Sequence, residues 1–127
     1  MSKLSNKVAL VTGASKGIGA AIARALAAEG ASVVVNYASS REDADKVVAS
    51  ITSTGGKALA IQGNISSESD ILRLFSEIQK AFGRLDILVN NAGIYGFSAI
   101  EDFSADEFYR QFNTNVLGLL FATREAV

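Results

Sequence analysis

The sequence predicts a single α/β domain, a doubly wound parallel sheet with helices on both faces. Three observations support this: short apolar runs, longer helical patterns between them, and glycines where one pattern gives way to the next. Runs that are apolar throughout are typical of parallel strands buried on both faces, and right-handed crossovers then wind the sheet in both directions. The chain of 127 residues shows no linker and no repeat, so we assign 1–127 to one domain.

The first two strands alternate with two helices. Val8–Val11 is the first apolar run, and a helical pattern covers Gly17–Glu29. Gly30 then stands where the residue after a helix end is most often glycine. Val33–Val35 is the second strand, and the helix predicted from Arg41 to Thr54 ends at a pair of glycines.

The next strand–helix–strand unit has the same form. Ala58–Ile61 predicts the third strand, and Ser66 or Ser67 can cap the helix after it. Apolar residues then recur every three or four positions as far as Phe82. Leu85–Val89 predicts the fourth strand.

A fourth helix is predicted near the end of the sequence. Ser104 and Glu107 have the spacing of a capping box at its start. The apolar residues on one face of this helix are Phe108, Phe112, Val116, Leu119 and Leu120.

Composition excludes several classes of function. The net charge is −1 and no basic tract is present, which argues against nucleic acid as a partner. No apolar run approaches the ~20 residues of a membrane span, and residues 1–7 have no signal-peptide pattern. Cysteine and histidine are both absent, so we expect no disulfide and no metal site of the usual kind. These features favour a cytoplasmic protein.

The loop between the first strand and the first helix, VTGASKGIG, holds three glycines. In a dinucleotide site Gly13 would allow the sharp turn, Gly17 a close approach of pyrophosphate, and Gly19 close packing of the helix. The anion would meet free N–H groups at the helix N-terminus. The spacing is neither G-x-G-x-x-G nor that of a P-loop, and glycines alone leave open a strand–helix turn that binds nothing.

Three motifs in order make the sequence resemble the short-chain dehydrogenase/reductase family, in its 3-oxoacyl-carrier-protein-reductase-like branch. Thr12–Gly19 matches the T-G-x-x-x-G-x-G loop, Asn90–Gly93 the N-N-A-G motif, and Asn115–Gly118 the N-V-x-G segment. The resemblance implies a Rossmann-like fold with strand order 3-2-1-4. It covers the whole chain but only about half of the family's domain.

The resemblance implies a nicotinamide dinucleotide site at the carboxyl ends of these strands. An asparagine-rich turn remains the alternative for N-N-A-G, and Asn64 stands where the family often has aspartate, which leaves its contact with adenine open. The residues expected at the cofactor are Gly13, Ser15, Lys16, Gly17, Ile18, Gly19, Asn36, Tyr37, Ser39, Ser40, Arg41, Asn64, Ile65, Asn90, Ala92 and Gly93.

The end of the second strand favours NADP(H), with NAD(H) possible. A carboxylate there would bind the ribose hydroxyls of NAD and repel a 2′-phosphate, but no acidic residue occurs before Glu42. Asn36, Ser39, Ser40 and Arg41 could hold that phosphate instead. Lys16 occupies the position of a cation in family members that favour NADP. The alternative is that Lys16 and Arg41 are solvated charges.

Asn115 matches the asparagine of the family's Asn-Ser-Tyr-Lys tetrad. The resemblance implies that its backbone carbonyl helps to hold a water of the proton relay, whereas the residues alone allow a local hydrogen bond. The family's catalytic tyrosine has a lysine four residues later, downstream of the last helix here. Tyr37, Tyr95 and Tyr109 lack such a lysine, so we expect a cofactor-binding half without its catalytic residues, inactive alone and either truncated or engineered.

Two partners are expected for such a half. Its fourth strand would lie at a sheet edge, and its fourth helix would expose the surface of the family's dimer interface, so we expect a homo-oligomer or a complementary C-terminal half. The alternatives are a split oxidoreductase active only with that half, and a self-associating fold that binds no cofactor. A flavin mononucleotide site is disfavoured by N-N-A-G and N-V-x-G.

Overall fold

A four-stranded parallel sheet organises the chain. The computed structural model describes residues 3–94, 96 and 98–127. The strand order is β3-β2-β1-β4, and Leu10 of β1 lies opposite Val34 of β2 and Leu88 of β4. The doubly wound, Rossmann-like prediction is therefore confirmed, with strand ends shifted by one or two residues. The strands are β1 Val8–Val11, β2 Ser32–Tyr37, β3 Lys57–Gln62 and β4 Ile87–Val89.

Helices cover both faces of the sheet. Residues of α1 and α2 pack on one face with Ala9 and Val11, while residues of α3 and α5 pack on the other with Leu10 and Val34. No helix among the described ranges is long and apolar enough to span a membrane. The helices are α1 Gly17–Ala28, α2 Arg41–Thr52, α3 Glu68–Phe82, α4 Ala105–Phe112 and α5 Leu119–Ala126, with a 3₁₀ turn at Ile100–Asp102 and a π-helical segment at Asn113–Gly118.

Only the two central strands, β1 and β2, are buried on both faces of the sheet. Every residue of β1 is buried, and β2 is buried from Val33 to Tyr37. In β3, by contrast, Lys57 and Leu59 are exposed, and β4 is half-buried throughout. The expectation of uniformly covered strands was wrong for β3 and β4 because both lie at edges of the sheet, where the neighbouring helices cover less of each face.

The helix ends follow the predicted capping residues. Of the two candidate serines it is Ser67 whose Oγ accepts a hydrogen bond from the Asp70 N–H. Ser104 Oγ likewise accepts from the Glu107 N–H. Gly30, after α1, has φ of 100°, a left-handed conformation that glycine adopts without strain.

The last helical region exposes most of its apolar face. The side chains of Phe108, Phe112 and Leu120 are 48%, 43% and 57% exposed. Gly118 faces inward instead, and a Cβ built there would overlap the carbonyl oxygen of Ile65. The close approach at Gly118 therefore fixes this region against the segment that follows β3.

Asp86 joins β4 to β1 at the amino ends of the strands. Its Oδ2 accepts a hydrogen bond from the Val8 N–H at 2.8 Å, and its own N–H donates to the Val8 carbonyl at 2.8 Å. The Arg84 guanidinium donates to both carboxylate oxygens. These bonds, first that from Arg84 and then that from Val8, hold the pKa of Asp86 below its usual value.

Gly118→Ala should destabilise the fold, because the added methyl meets backbone rather than a side chain that can rotate away. We expect the free energy of unfolding to fall by about 1–3 kcal/mol, measured by urea denaturation. Lys80→Ala, at an exposed position of α3, is the control and should change it by less than about 0.5 kcal/mol. Equal stability of Gly118→Ala and the unaltered chain would contradict the close contact.

Asp86 should make stability depend on acid pH. Because its pKa is lowered in the folded state, its stabilisation is present above the unfolded pKa and is lost as pH falls through the folded pKa. The unaltered chain should thus be more stable to unfolding than Asp86→Asn by a constant amount above about pH 5, and this difference should shrink below about pH 4. Thermal unfolding at a series of pH values measures it. Asp102→Asn, at an exposed site, is the control; an advantage independent of pH would refute the assignment.

Candidate functional site

A cleft of about 240 Å³ opens at the carboxyl ends of the strands. The chain leaves β1 there between β2 and β4, where the direction of winding reverses, and open α/β sheets bind ligands at such a point. The residues that line the cleft are Gly13, Ser15, Asn36, Ala38, Ser39, Ser40, Gly63, Asn64, Ile65, Asn91, Ala92, Gly93, Ile94 and Thr114.

Thr12 and Asn91 lock the glycine loop to the segment after β4. Thr12 Oγ1 accepts hydrogen bonds from the N–H groups of Asn91 and Ala92, both at 3.0 Å. In return, Asn91 Nδ2 donates to the carbonyls of Thr12 and Gly13 at 3.0 and 2.9 Å. The two motifs therefore form one hydrogen-bonded unit.

Asn36 fixes the glycine loop from the opposite side. It is 1% exposed, and its Oδ1 accepts from the Gly13 N–H at 3.1 Å. Its Nδ2 donates to the carbonyls of Ile61 and Gly63, each at 3.2 Å. Both amide hydrogens are thus used within the chain. Asn36 reaches the cleft wall, but its side chain holds backbone there instead of standing free for a phosphate.

The three glycines of the loop meet three different requirements. Gly13 has φ of 60°, and a Cβ there would lie 2.9 Å from Cα of Ala92. At Gly19 a Cβ would overlap Nδ2 of Asn91, so α1 can approach the loop only with glycine. Gly17 has φ of 62° and nothing within 4 Å of a Cβ, which leaves open space beside its backbone.

The N-terminus of α1 has no internal cap. Lys16, the residue before the helix, makes no side-chain cap, and the first turn contains no acidic residue. By contrast, α3 and α4 both have serine caps and acidic first turns. Ile18, in the first turn of α1, is 75% exposed. The positive end of the α1 dipole thus has no side-chain cap and no acidic residue from its own first turn. Asp43 of α2, which pairs with Lys16, is the carboxylate that lies beside it.

The loop after β2 brings hydroxyl groups to the cleft, whereas the cations Lys16 and Arg41 do not line it. Ser39 and Ser40 line the cleft. Lys16 Nζ lies 3.7 Å from Asp43 Oδ2, and Arg41 Nε lies 3.8 Å from Asp45 Oδ2. Both cationic side chains are more than two-thirds exposed. In the structure both cations therefore pair with carboxylates of α2.

The segment after β3 forms the facing wall. Asn64 Oδ1 accepts from the N–H and the hydroxyl of Ser66 at 2.9 and 2.7 Å, and the Asn64 N–H donates to Asp70 Oδ2 at 2.9 Å. Ile65 is 5% exposed and lies beneath Gly118. The wall is therefore held by α3 below and by the last helical region above.

Three residues expected at the cofactor or in the tetrad have other neighbours in the structure. Tyr37 is 7% exposed and belongs to the core beside α2. Asn90 is exposed, and its Nδ2 donates to Thr123 Oγ1 of α5 at 3.1 Å. Asn115, in the π-helical segment, exchanges two hydrogen bonds with the backbone of Ile94 at 2.7 and 2.8 Å. Tyr95 lies outside the described residues.

Sequence reasoning missed five residues of the cleft wall: Ala38, Gly63, Asn91, Ile94 and Thr114. The doublet Asn90-Asn91 contained a usable signal, because successive side chains at a strand end point to opposite sides. One of the pair had to face the glycine loop, and that residue is Asn91.

Glu107 and Arg110 form an ion pair on α4, next to the loop that follows the cleft. Arg110 Nη2 lies 2.6 Å from Glu107 Oε1, and a Cβ at Gly96 would lie 2.6 Å from the same oxygen. Hydrogen bonds from Arg110 and then from Gln111 lower the pKa of Glu107 to about 2. Glu107 therefore stays ionised at neutral pH and cannot supply a proton.

Known proteins are similar in sequence to this chain over almost its whole length. The chain is 57% identical over 126 residues to an uncharacterized oxidoreductase of Methylorubrum extorquens, covering 99% of this chain and 51% of that protein. It is 50% identical over 124 residues to a versicolorin reductase of Emericella nidulans, covering 98% and 47%. The chain thus spans about half the length of the curated relatives that it matches.

Solved structures share the fold closely. A short-chain dehydrogenase from Burkholderia cenocepacia in complex with NADP superimposes with a TM-score of 0.94 at 44% identity, covering 98% of this chain and 51% of that one. A short-chain dehydrogenase/reductase from Serratia marcescens gives 0.93 at 41% identity, covering 97% and 50%.

A family model confirms the resemblance carried by the three motifs. The model described as short chain dehydrogenase matches residues 7–127. With the strand order, the locked glycine loop and the relatives above, it shows that this chain belongs to the short-chain dehydrogenase family.

Proposed function

We propose that this chain is the NADP(H)-binding part of a short-chain dehydrogenase-type oxidoreductase. The observation that carries the proposal is the uncapped N-terminus of α1, which begins two residues after Ser15 of the cleft wall, at a glycine with open space around it. Free N–H groups and a helix dipole there favour an anion such as pyrophosphate. The NADP complex of the Burkholderia relative supports the choice of cofactor.

A different part of the cofactor is proposed to bind at each wall of the cleft. Gly17, Ile18 and Gly19 would offer N–H groups to the pyrophosphate, with Gly13 and Ser15 shaping the turn before them. The adenine would lie against Asn64 and Ile65. The ribose and nicotinamide end would follow Asn90, Ala92 and Gly93. When bound, the cofactor would supply hydride chemistry between a carbonyl and an alcohol, while these residues bind and orient it.

The 2′-phosphate has a proposed place next to Ser39 and Ser40. Their hydroxyl groups line the cleft, and the first carboxylate after β2 is at Glu42. Lys16 and Arg41 would turn from their long, exposed ion pairs toward this phosphate. Exposed pairs of this kind contribute little, so such a rearrangement costs little. NAD(H) remains the alternative cofactor.

Asn115 is proposed to act through its backbone. Because its side chain is committed to Ile94, its carbonyl is the group left for the relay water of the family's tetrad. π-Helical segments frequently occur at functional sites, and Asn115 lies within one. None of the three tyrosines of this sequence has a lysine four residues later. We therefore propose carbonyl or alcohol conversion only with a C-terminal half that provides the tetrad's serine, tyrosine and lysine.

Two surfaces support association with that half or with a second copy. β4 pairs with β1 and lies at the edge of the sheet, where an unpaired strand invites association. The exposed side chains of Phe108, Phe112 and Leu120 lie on the last helical region. A homo-oligomer or a complementary C-terminal half would cover these surfaces.

Cofactor binding is tested by placing a carboxylate at the pyrophosphate position. Gly17→Asp should weaken NADPH binding at least about 10-fold, because charge repulsion is strong where the water is displaced, as measured by calorimetry. Gly83→Asp is the matched control, since Gly83 also has a positive φ and open space around a Cβ but lies far along the chain at the end of α3. No saturable NADPH binding by the unaltered chain would refute the proposal.

The role of the two cations is tested separately. If Lys16 and Arg41 contact the 2′-phosphate, Lys16→Ala and Arg41→Ala should each weaken NADPH binding about 3- to 10-fold and leave NADH binding unchanged. Lys80→Ala, on the exposed last turn of α3, is the control for loss of a positive charge. Equal effects on both cofactors would support the solvated-charge alternative.

A further inference from the structure

We infer that Arg73 of α3 positions the loop that selects between NADP and NAD, without touching the cofactor. Arg73 does not line the cleft, yet its guanidinium connects to both segments that form the cleft's adenosine wall. The inference rests on the proposed function, and it adds a specificity-determining residue to it.

The first connection runs through Gln62, the last residue of β3. Arg73 Nη2 donates to the Gln62 backbone carbonyl and to its side-chain Oε1, both at 2.8 Å. Gln62 Nε2 then donates to the Ala38 carbonyl at 2.8 Å. Ala38 lines the cleft and directly precedes Ser39 and Ser40, which are the proposed 2′-phosphate ligands.

Arg73 and the Ala38 carbonyl together determine which way the Gln62 amide points. A glutamine amide has one acceptor oxygen and one NH₂ group. Since the guanidinium can only donate, it holds Oε1, and the NH₂ group must then face Ala38. Without Arg73 only the Ala38 carbonyl orients the amide, so the side chain that donates to this carbonyl is held at one end instead of two.

The second connection runs through Asp70 on the same helix. Arg73 Nη2 lies 3.9 Å from Asp70 Oδ1, while Asp70 Oδ2 accepts from the Asn64 N–H at 2.9 Å. Arg73 is anchored from the other direction by Glu77 Oε2, 2.7 Å from its Nη1. One side chain thus links the loop after β2 with the segment after β3.

This linkage should affect selectivity more than stability. Arg73 is 43% exposed, and surface ion pairs contribute little to folding. NADPH and NADH differ only by the 2′-phosphate, so a displaced Ala38–Ser40 segment changes NADPH binding and leaves the shared contacts of both cofactors in place.

The test measures the dissociation constants of NADPH and NADH by calorimetry for the chain and its variants. In Arg73→Ala and in Gln62→Leu the preference for NADPH over NADH should fall about 3- to 10-fold. In the double variant this preference should fall no further than in the stronger single variant, because both substitutions act on one connection. Arg124→Ala is the matched control: Arg124 is 51% exposed and also pairs with α3, through Glu68 at 2.8 Å.

Three results would overturn the inference. These are an unchanged preference, equal weakening of both cofactors, and additive losses in the double variant. If the unaltered chain binds neither cofactor, the proposed function is refuted and the inference falls with it. If the unaltered chain binds NADPH with a preference that Arg73→Ala leaves intact, only the inference is refuted.

Discussion

The backbone of Thr12 and Gly13 is held between two asparagine side chains, and the site depends on this arrangement. Asn36 binds it from the β2 side and Asn91 from the β4 side. The turn off β1 is therefore fixed by hydrogen bonds that need no ligand. Such preorganisation lowers the entropic cost of ordering the loop when a ligand binds. It also explains why the first-turn N–H groups of α1 can stay uncapped: the loop's geometry is set elsewhere.

Much of the fold could be predicted from local pattern. Apolar runs identified all four strands, and the serine and glycine signals identified helix ends because caps act within one turn. Exposure of Leu59 in β3 could not be predicted in this way, since it depends on which strand lies at an edge of the sheet. Strand order is a long-range property, and the family resemblance supplied it.

The site was predictable by segment and less so by side chain. Gly13 and Ser15 of the glycine loop line the cleft, as do Ser39, Asn64 and Ala92. The other predicted loop residues, Lys16 to Gly19, do not line it. Asn36 and Tyr37, however, face inward at the end of β2, where both are buried. A polar residue at a strand end can bind a ligand or satisfy buried backbone groups. The residue type alone does not distinguish these two roles. Distances such as those around Asn36 do.

The π-helical segment Asn113–Gly118 lies between α4 and α5 and changes the direction in which successive side chains point. Its wider turns rotate the side chains after Gly118 relative to those before Asn113. Phe108 and Phe112 on α4 face solvent, while Phe121 on α5 packs against the core with α3. The sequence has no proline, and helical backbone continues from α4 through this segment into α5. Leu120, after the segment, is still 57% exposed, so the apolar surface of α4 extends into α5. Gain or loss of a single residue there would misalign everything downstream.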